Sequence, residues 1–93
     1  MKVVINERHG GFSLSDLALA TLRGMGIEYD IEAMVDPKFR AHPWLVETVE
    51  RLGAAAAGEH ATLKIVEIPE GIAWYIDDFA GRETIHEKHR EWR

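Results

Sequence analysis

The chain has 93 residues, with 11 Lys and Arg against 16 Asp and Glu, so its formal net charge is −5 with histidine neutral. This length predicts a single domain over residues 1–93, too small for a deep cleft between two lobes. The absence of cysteine excludes disulfides, thiolate metal sites and cysteine nucleophiles. The sequence contains no long apolar run or signal peptide, so we expect a cytoplasmic protein without membrane association.

Hydrophobic spacing predicts, in chain order, a strand, a helix, a strand, a helix and three further strands. Ser13 and Asp16 form a capping-box variant before the first helix. The second helix begins at Pro43, and Gly53 leaves open whether this helix ends there and restarts. The predicted ranges are 2–6, 15–23, 27–33, 43–58, 61–68, 72–78 and 83–87. This order predicts an α+β, two-layer fold with two helices packed on one face of a four- to five-stranded, mostly antiparallel sheet.

The alternation of side chains along strands divides the predicted sheet into two faces. The face toward the helices is predicted to carry Val3, Ile5, Leu63, Ile65, Trp74, Ile76 and Ile85. The opposite face is predicted to carry Val4, Lys64, Val66, Tyr75, Asp77, Thr84 and His86. This second face is unusually apolar for a solvated surface, which predicts a contact surface; scattered exposed apolar residues are the alternative explanation.

No motif in the sequence carries an obvious chemistry. His86 and His89 are spaced for a metal site only on a helix, whereas the pattern there predicts a strand, and no third ligand is specified. His9-Gly10-Gly11 is similar to an esterase oxyanion segment, but the matching nucleophile elbow is absent. We therefore expect a protein without catalytic residues, metal or other cofactor.

Acidic residues are segregated along the chain. Two stretches, 28–36 and 65–81, hold four carboxylates each and contain no Lys or Arg. On a strand, Glu28, Asp30 and Glu32 would project to one side about 6.6 Å apart. This pattern argues against direct contact with nucleic acid and favours a basic protein partner, although acidic faces also serve simply to keep proteins soluble.

Five segments of the chain form a recognisable set: Lys-Val-Val-Ile-Asn at 2–6, Gly-Gly-Phe-Ser-Leu-Ser-Asp at 10–16, Leu-Lys-Ile-Val-Glu-Ile-Pro at 63–69, Trp-Tyr-Ile-Asp-Asp at 74–78 and Glu-Lys-His-Arg-Glu-Trp at 87–92. Together they resemble a family of short uncharacterised proteins carried by bacteriophages and prophages. The segment from Tyr29 to Arg40 does not match, and Ala80 stands where the resemblance leads us to expect Asp. The resemblance brings no catalytic residue. It implies a phage-borne inhibitor of a host defence complex, of which anti-CRISPR proteins are the leading example.

These observations predict a non-enzymatic inhibitor that binds a basic surface of a host complex and blocks its binding of nucleic acid. The predicted contact residues are Glu28, Asp30, Glu32, Glu67, Asp77 and Asp78. One alternative is a phage accessory or structural module that forms a homodimer or larger homo-oligomer through Val66 and Tyr75. The other is a small metal-dependent hydrolase centred on His86 and His89.

Overall fold

A computed structural model describes residues 1–27 and 36–88 of the chain. In these ranges the chain has an α+β fold of four strands, three α-helices and one 3-10 helix. The strands are β1 (Lys2–Asn6), β2 (Leu63–Glu67), β3 (Trp74–Phe79) and β4 (Arg82–Glu87). The helices are α1 (Asp16–Gly24), α2 (Pro37–Arg40) and α3 (Pro43–Leu52), and the 3-10 helix (Gly53–Ala56) follows α3.

The helix boundaries follow from local capping chemistry. Ser15, and not Ser13, is the N-cap of α1, because its hydroxyl accepts a hydrogen bond from the Ala18 amide at 3.1 Å. Helix α3 begins at Pro43 as predicted, with the preceding His42 side chain as its cap. Gly53 ends this helix at a φ of 58°, and the 3-10 helix then continues the chain, so the helix is shorter than the predicted range 43–58 and the alternative of a break at this glycine, left open by the sequence, holds.

The strands form two separate antiparallel pairs in the described residues, instead of the one larger sheet expected from the sequence. β1 pairs with β2, with Val4 opposite Ile65, and β3 pairs with β4 as a hairpin, with Ile76 opposite Ile85. The predicted hairpin is confirmed, but its strands pair up to Phe79 and Arg82, so the turn has two residues instead of the predicted four. The predicted strand over 27–33 lies almost entirely outside the described residues.

The strand β1 is buried on both faces, which corrects the predicted division of the sheet. Val4 packs with Leu63 and Ile65 against the helices. Val3 and Ile5, which we expected on that same face, instead pack against the hairpin. A run of three consecutive apolar residues carries no alternation, so the period of two could not tell which of them faces the helices.

The hairpin covers the face of β1 that carries Val3 and Ile5. Trp74, Ile76 and Ile85 point inward as predicted, but they pack on β1 and not on the helices. Val66 belongs to this same cluster, so it lies beneath the hairpin and does not share an outer face with Tyr75. The β1–β2 pair therefore lies between the hairpin and the helices α1 and α3, and the hairpin presents its other face outward.

Candidate functional site

The face of the hairpin directed away from β1 carries the most exposed large aromatic side chain among the described residues. Phe79 is 76% exposed, and Tyr75 on the same face is 41% exposed. The strand register places Arg82, Thr84 and His86 opposite Phe79, Asp77 and Tyr75, respectively. We call these residues the outer hairpin face: Tyr75, Asp77, Phe79, Arg82, Thr84 and His86.

Four side chains of the outer hairpin face contact one another. The rings of Tyr75 and His86 stack, with centroids 5.4 Å apart and planes inclined by 26°. His86 Nε2 lies 2.9 Å from Thr84 Oγ1 and 4.0 Å from Asp77 Oδ2. Cross-strand pairs of this kind hold side chains in place, and side chains that are already ordered lose less conformational entropy when a partner binds.

This cluster differs from the Ser–His–Asp arrangement that activates a hydroxyl nucleophile. In such a triad the hydroxyl and the carboxylate contact different nitrogens of the imidazole. Here Thr84 and Asp77 both approach Nε2 of His86, and all three residues are exposed on the face of a hairpin. The cluster therefore lacks the geometry of a nucleophilic triad and offers an ordered aromatic and polar surface.

Beneath the outer hairpin face, Glu83 fastens β4 to the rest of the molecule. The Arg40 guanidinium donates to Glu83 Oε1 at 2.6 Å and to Oε2 at 2.9 Å. The Asn6 backbone amide donates to Glu83 Oε1 at 2.8 Å. Arg40 also lies over the Phe12 ring, 3.5 Å from its centroid. Because both charged side chains are about 95% buried, this anchor sets the position of the hairpin on β1.

The buried side chain of Asn6 holds three loops together. Its Nδ2 donates to the carbonyls of Arg8 at 2.6 Å and Gly81 at 2.7 Å. Its Oδ1 accepts from the amides of Arg8 at 3.2 Å and Thr62 at 2.9 Å. Two donors and two lone pairs are the full capacity of a carboxamide, so Asn6 is completely satisfied with no exposed surface. The turn of the hairpin is thereby tied to the ends of β1 and β2.

The predicted acidic contact residues do not form one surface. Glu28, Asp30 and Glu32 lie outside the described residues. Glu67 pairs with Lys2 at the start of β1, whereas Asp77 and Asp78 lie near the hairpin turn that is tied to the end of β1. Alternation along β3 puts only Asp77 on the outer hairpin face, and Asp78 accepts the amide of Gly81 at 2.8 Å inside the turn.

Sequence reasoning missed Phe79, Arg40 and Glu83. One signal was available for Glu83, because it occupies an inward position of β4, two residues before Ile85. A carboxylate at such a position requires a charged or hydrogen-bonding partner in the interior. Nothing in the sequence identifies that partner as Arg40, which lies 43 residues earlier on a one-turn helix.

Two further findings bear on the alternatives. In the described ranges, three or more metal-binding side chains do not come together at any point, and His89 lies outside those ranges. The described helices are too short or too polar to cross a membrane. Comparison of the chain with protein-family models, curated proteins and solved structures found no match.

Proposed function

We propose that the chain is a non-catalytic binding protein that docks onto a partner protein through its outer hairpin face. The observation that carries this proposal is the exposure of Phe79 and Tyr75 on one face, beside Asp77. Exposed aromatic residues are enriched at the centres of protein interfaces, where they contribute a large part of the binding energy. The contacts around His86 preorganise this face, which lowers the conformational entropy lost on binding.

The partner surface is basic and has an apolar pocket for Phe79. The face carries one carboxylate, that of Asp77, and one guanidinium, that of Arg82, so the attraction for a basic partner comes from the net charge of −5 of the whole chain. The resemblance to phage and prophage proteins suggests which partner this is. It is a host defence complex whose basic, nucleic-acid-binding surface the protein occupies, as anti-CRISPR proteins do.

The outer hairpin face is too small to account for a stable complex alone. Two strands of six residues cover roughly 200 Å², whereas a standard interface buries about 800 Å² on each partner. A second contact region is therefore part of the proposal. The acidic stretch with Glu28, Asp30 and Glu32 is the segment that the sequence favours for it, since it adds three carboxylates.

The direct test is an assay of target-DNA binding by a purified RNA-guided surveillance complex. Excess wild-type protein should reduce DNA binding, and Phe79→Ser should restore it. Leu17→Ser is the matched control, because Leu17 is also a 52% exposed apolar residue but lies on α1. Unchanged DNA binding with the wild-type protein in excess, or equal effects of the two variants, would contradict the proposal.

Two additional measurements test the second contact region and the alternative that the protein associates with itself. Joint reversal of Glu28, Asp30 and Glu32 to lysine should slow association with the complex and weaken its dependence on salt, because charge attraction is screened within roughly 8 Å at physiological ionic strength. Light scattering of the free protein should give the mass of a monomer. A stable dimer that Phe79→Ser dissociates would instead assign the face to homo-oligomer formation.

A further inference from the structure

A second surface lies beside the hairpin turn, shares Arg82 with the outer hairpin face and carries more positive than negative side chains. It is an open groove between the loop that follows β1 and the beginning of β4. We call it the arginine groove, and its lining residues are Glu7, Arg8, His9, Thr62 and Arg82. Four of these five residues, all except Glu7, have a side-chain hydrogen-bond donor at neutral pH.

The two guanidinium groups of the groove are not neutralised in the described part of the chain. Four other basic side chains, those of Lys2, Arg40, Arg51 and Lys64, form ion pairs with carboxylates there. Arg8 and Arg82 form none there, as is also true of Arg23, Lys38 and Lys88, but only Arg8 and Arg82 line the same groove. The one carboxylate of the groove, that of Glu7, lies 4.0 Å from the Lys64 ammonium. The arginine groove is therefore a positively charged site on an acidic protein.

The backbone under the groove is held in place from below. Asn6 binds both the amide and the carbonyl of Arg8, the amide of Thr62, and the carbonyl of Gly81 next to Arg82. The His9 ring adds a contact between the loop after β1 and the hairpin turn, with Nδ1 3.3 Å from the Ala80 carbonyl. The donors thus start from fixed backbone positions, which lowers the entropy that binding of a ligand would cost.

We propose that the arginine groove binds the phosphate group of a small ligand, either inorganic phosphate or a phosphate monoester. Guanidinium groups recognise phosphate through paired N–H donors, and the hydroxyl of Thr62 supplies a further donor. Two arginines, a hydroxyl and an imidazole exceed what the two oxygens of a carboxylate accept, but they match the oxygens of a phosphate. The net charge of −5 disfavours a polyanion such as nucleic acid, so a small ligand is the better fit.

The site is tested by titrating ¹⁵N-labelled protein with inorganic phosphate and, separately, with adenosine monophosphate. Saturable shifts of the amide signals of Arg8, His9, Thr62 and Arg82 are expected, and sodium chloride at equal ionic strength should not produce them. Arg8→Gln and Arg82→Gln should each weaken binding roughly tenfold, the change expected when one charge-assisted hydrogen bond is lost. Arg23→Gln is the matched control, because Arg23 is an exposed arginine in the last turn of α1.

The results distinguish inorganic phosphate from a phosphate monoester as the ligand. They also show whether the site or the choice of ligand is wrong. Tighter binding of adenosine monophosphate than of phosphate assigns the site to a monoester, and equal binding assigns it to the phosphate group alone. Shifts that chloride reproduces, or binding that persists in the Arg8→Gln/Arg82→Gln double variant, would overturn the site. Binding of a short oligonucleotide without binding of either small ligand would overturn the choice of ligand. Retained dispersion of the amide spectrum shows that each variant is folded.

Discussion

Arg40 and Glu83 form a bidentate ion pair in the interior of the molecule, with N–O distances of 2.6 and 2.9 Å and with both side chains about 95% buried. The pair joins α2 to β4 and lies against the open edge of β1, where Glu83 accepts the Asn6 amide. It therefore takes the place that a neighbouring strand would occupy on that part of the edge. The position of the hairpin, and with it the outer hairpin face, depends on this contact.

Removing one partner of this pair should lower the free energy of unfolding more than replacing both partners by apolar residues. Glu83→Ala leaves a buried guanidinium without its carboxylate, and we expect the free energy of unfolding to fall by about 3–5 kcal/mol. The double variant Arg40→Met/Glu83→Leu replaces both charges by apolar groups and should recover the part of that loss caused by the unpaired guanidinium, while the Asn6 amide still lacks its acceptor. Urea denaturation followed by circular dichroism measures both changes.

An exposed ion pair provides the control for this measurement. Lys2 and Glu50 lie 3.1 Å apart with side chains 45% and 48% exposed. Glu50→Ala should lower the free energy of unfolding by less than about 1 kcal/mol. If Glu83→Ala is no more destabilising than Glu50→Ala, the buried pair does not anchor the hairpin.

Gly81 should tolerate a side chain much less well than Gly11 does. A Cβ on Gly81 would lie 2.3 Å from the Gly11 amide nitrogen and 2.5 Å from that of Gly10, both rigid backbone atoms. A Cβ on Gly11 would meet no atom within 4 Å, although the φ values of the two glycines are similar, 89° and 94°. Both substitutions to alanine carry the strain of a positive φ, about 1 kcal/mol.

Only Gly81→Ala adds a clash between two loops, so its loss of stability should clearly exceed that of Gly11→Ala. Thermal unfolding of the two variants side by side measures the difference. Equal melting temperatures would mean that the hairpin turn does not pack closely on the glycine loop after β1.

The turn of the hairpin contains a strained alanine that a substitution should relieve. Ala80 has a φ of 53° and Gly81 a φ of 89°, the signs found in a two-residue type I′ turn. Asn is strongly favoured over Ala at the first of these positions, because its side chain tolerates the left-handed region. Ala80→Asn should raise the free energy of unfolding by about 0.5–1 kcal/mol. Ala80→Val is the control and should lower it, because a β-branched side chain is disfavoured there.

The sequence was most informative where structure is decided locally. The range of β1, the start of α3 at Pro43 and the hairpin turn all follow from neighbouring residues: β-branched runs, proline at the first helical position and glycine after the strand. The one-turn helix α2 was not predicted from the sequence. Four residues are too few to produce a helical pattern.

The separation into two strand pairs and the arrangement of the site depend on contacts between distant residues. Asn6 bonds to the Gly81 carbonyl 75 residues later, and Arg40 pairs with Glu83 43 residues later. Neither pairing has a local signal in one sequence. The same is true of the face of β1, because Val3, Val4 and Ile5 are all apolar and all buried. Charge segregation predicted an acidic surface, but Asp77 and Asp78 alternate to opposite sides of β3, which separates them.

Replacing the side-chain amide of Asn6 by a carboxylate should strongly destabilise the protein. In Asn6→Asp, the Nδ2 that donates to the Arg8 and Gly81 carbonyls becomes a carboxylate oxygen that faces both of them in a fully buried site. Two carbonyls lose their donor and a charge is buried, so we expect the free energy of unfolding to fall by about 3 kcal/mol or more. The reverse exchange, Asp36→Asn, is the control: Asp36 is exposed, and an amide oxygen can still accept from Lys38. That change should stay within about 0.5 kcal/mol. Urea denaturation of both variants measures the contrast, and similar values would show that the Asn6 side chain does not hold the three loops together.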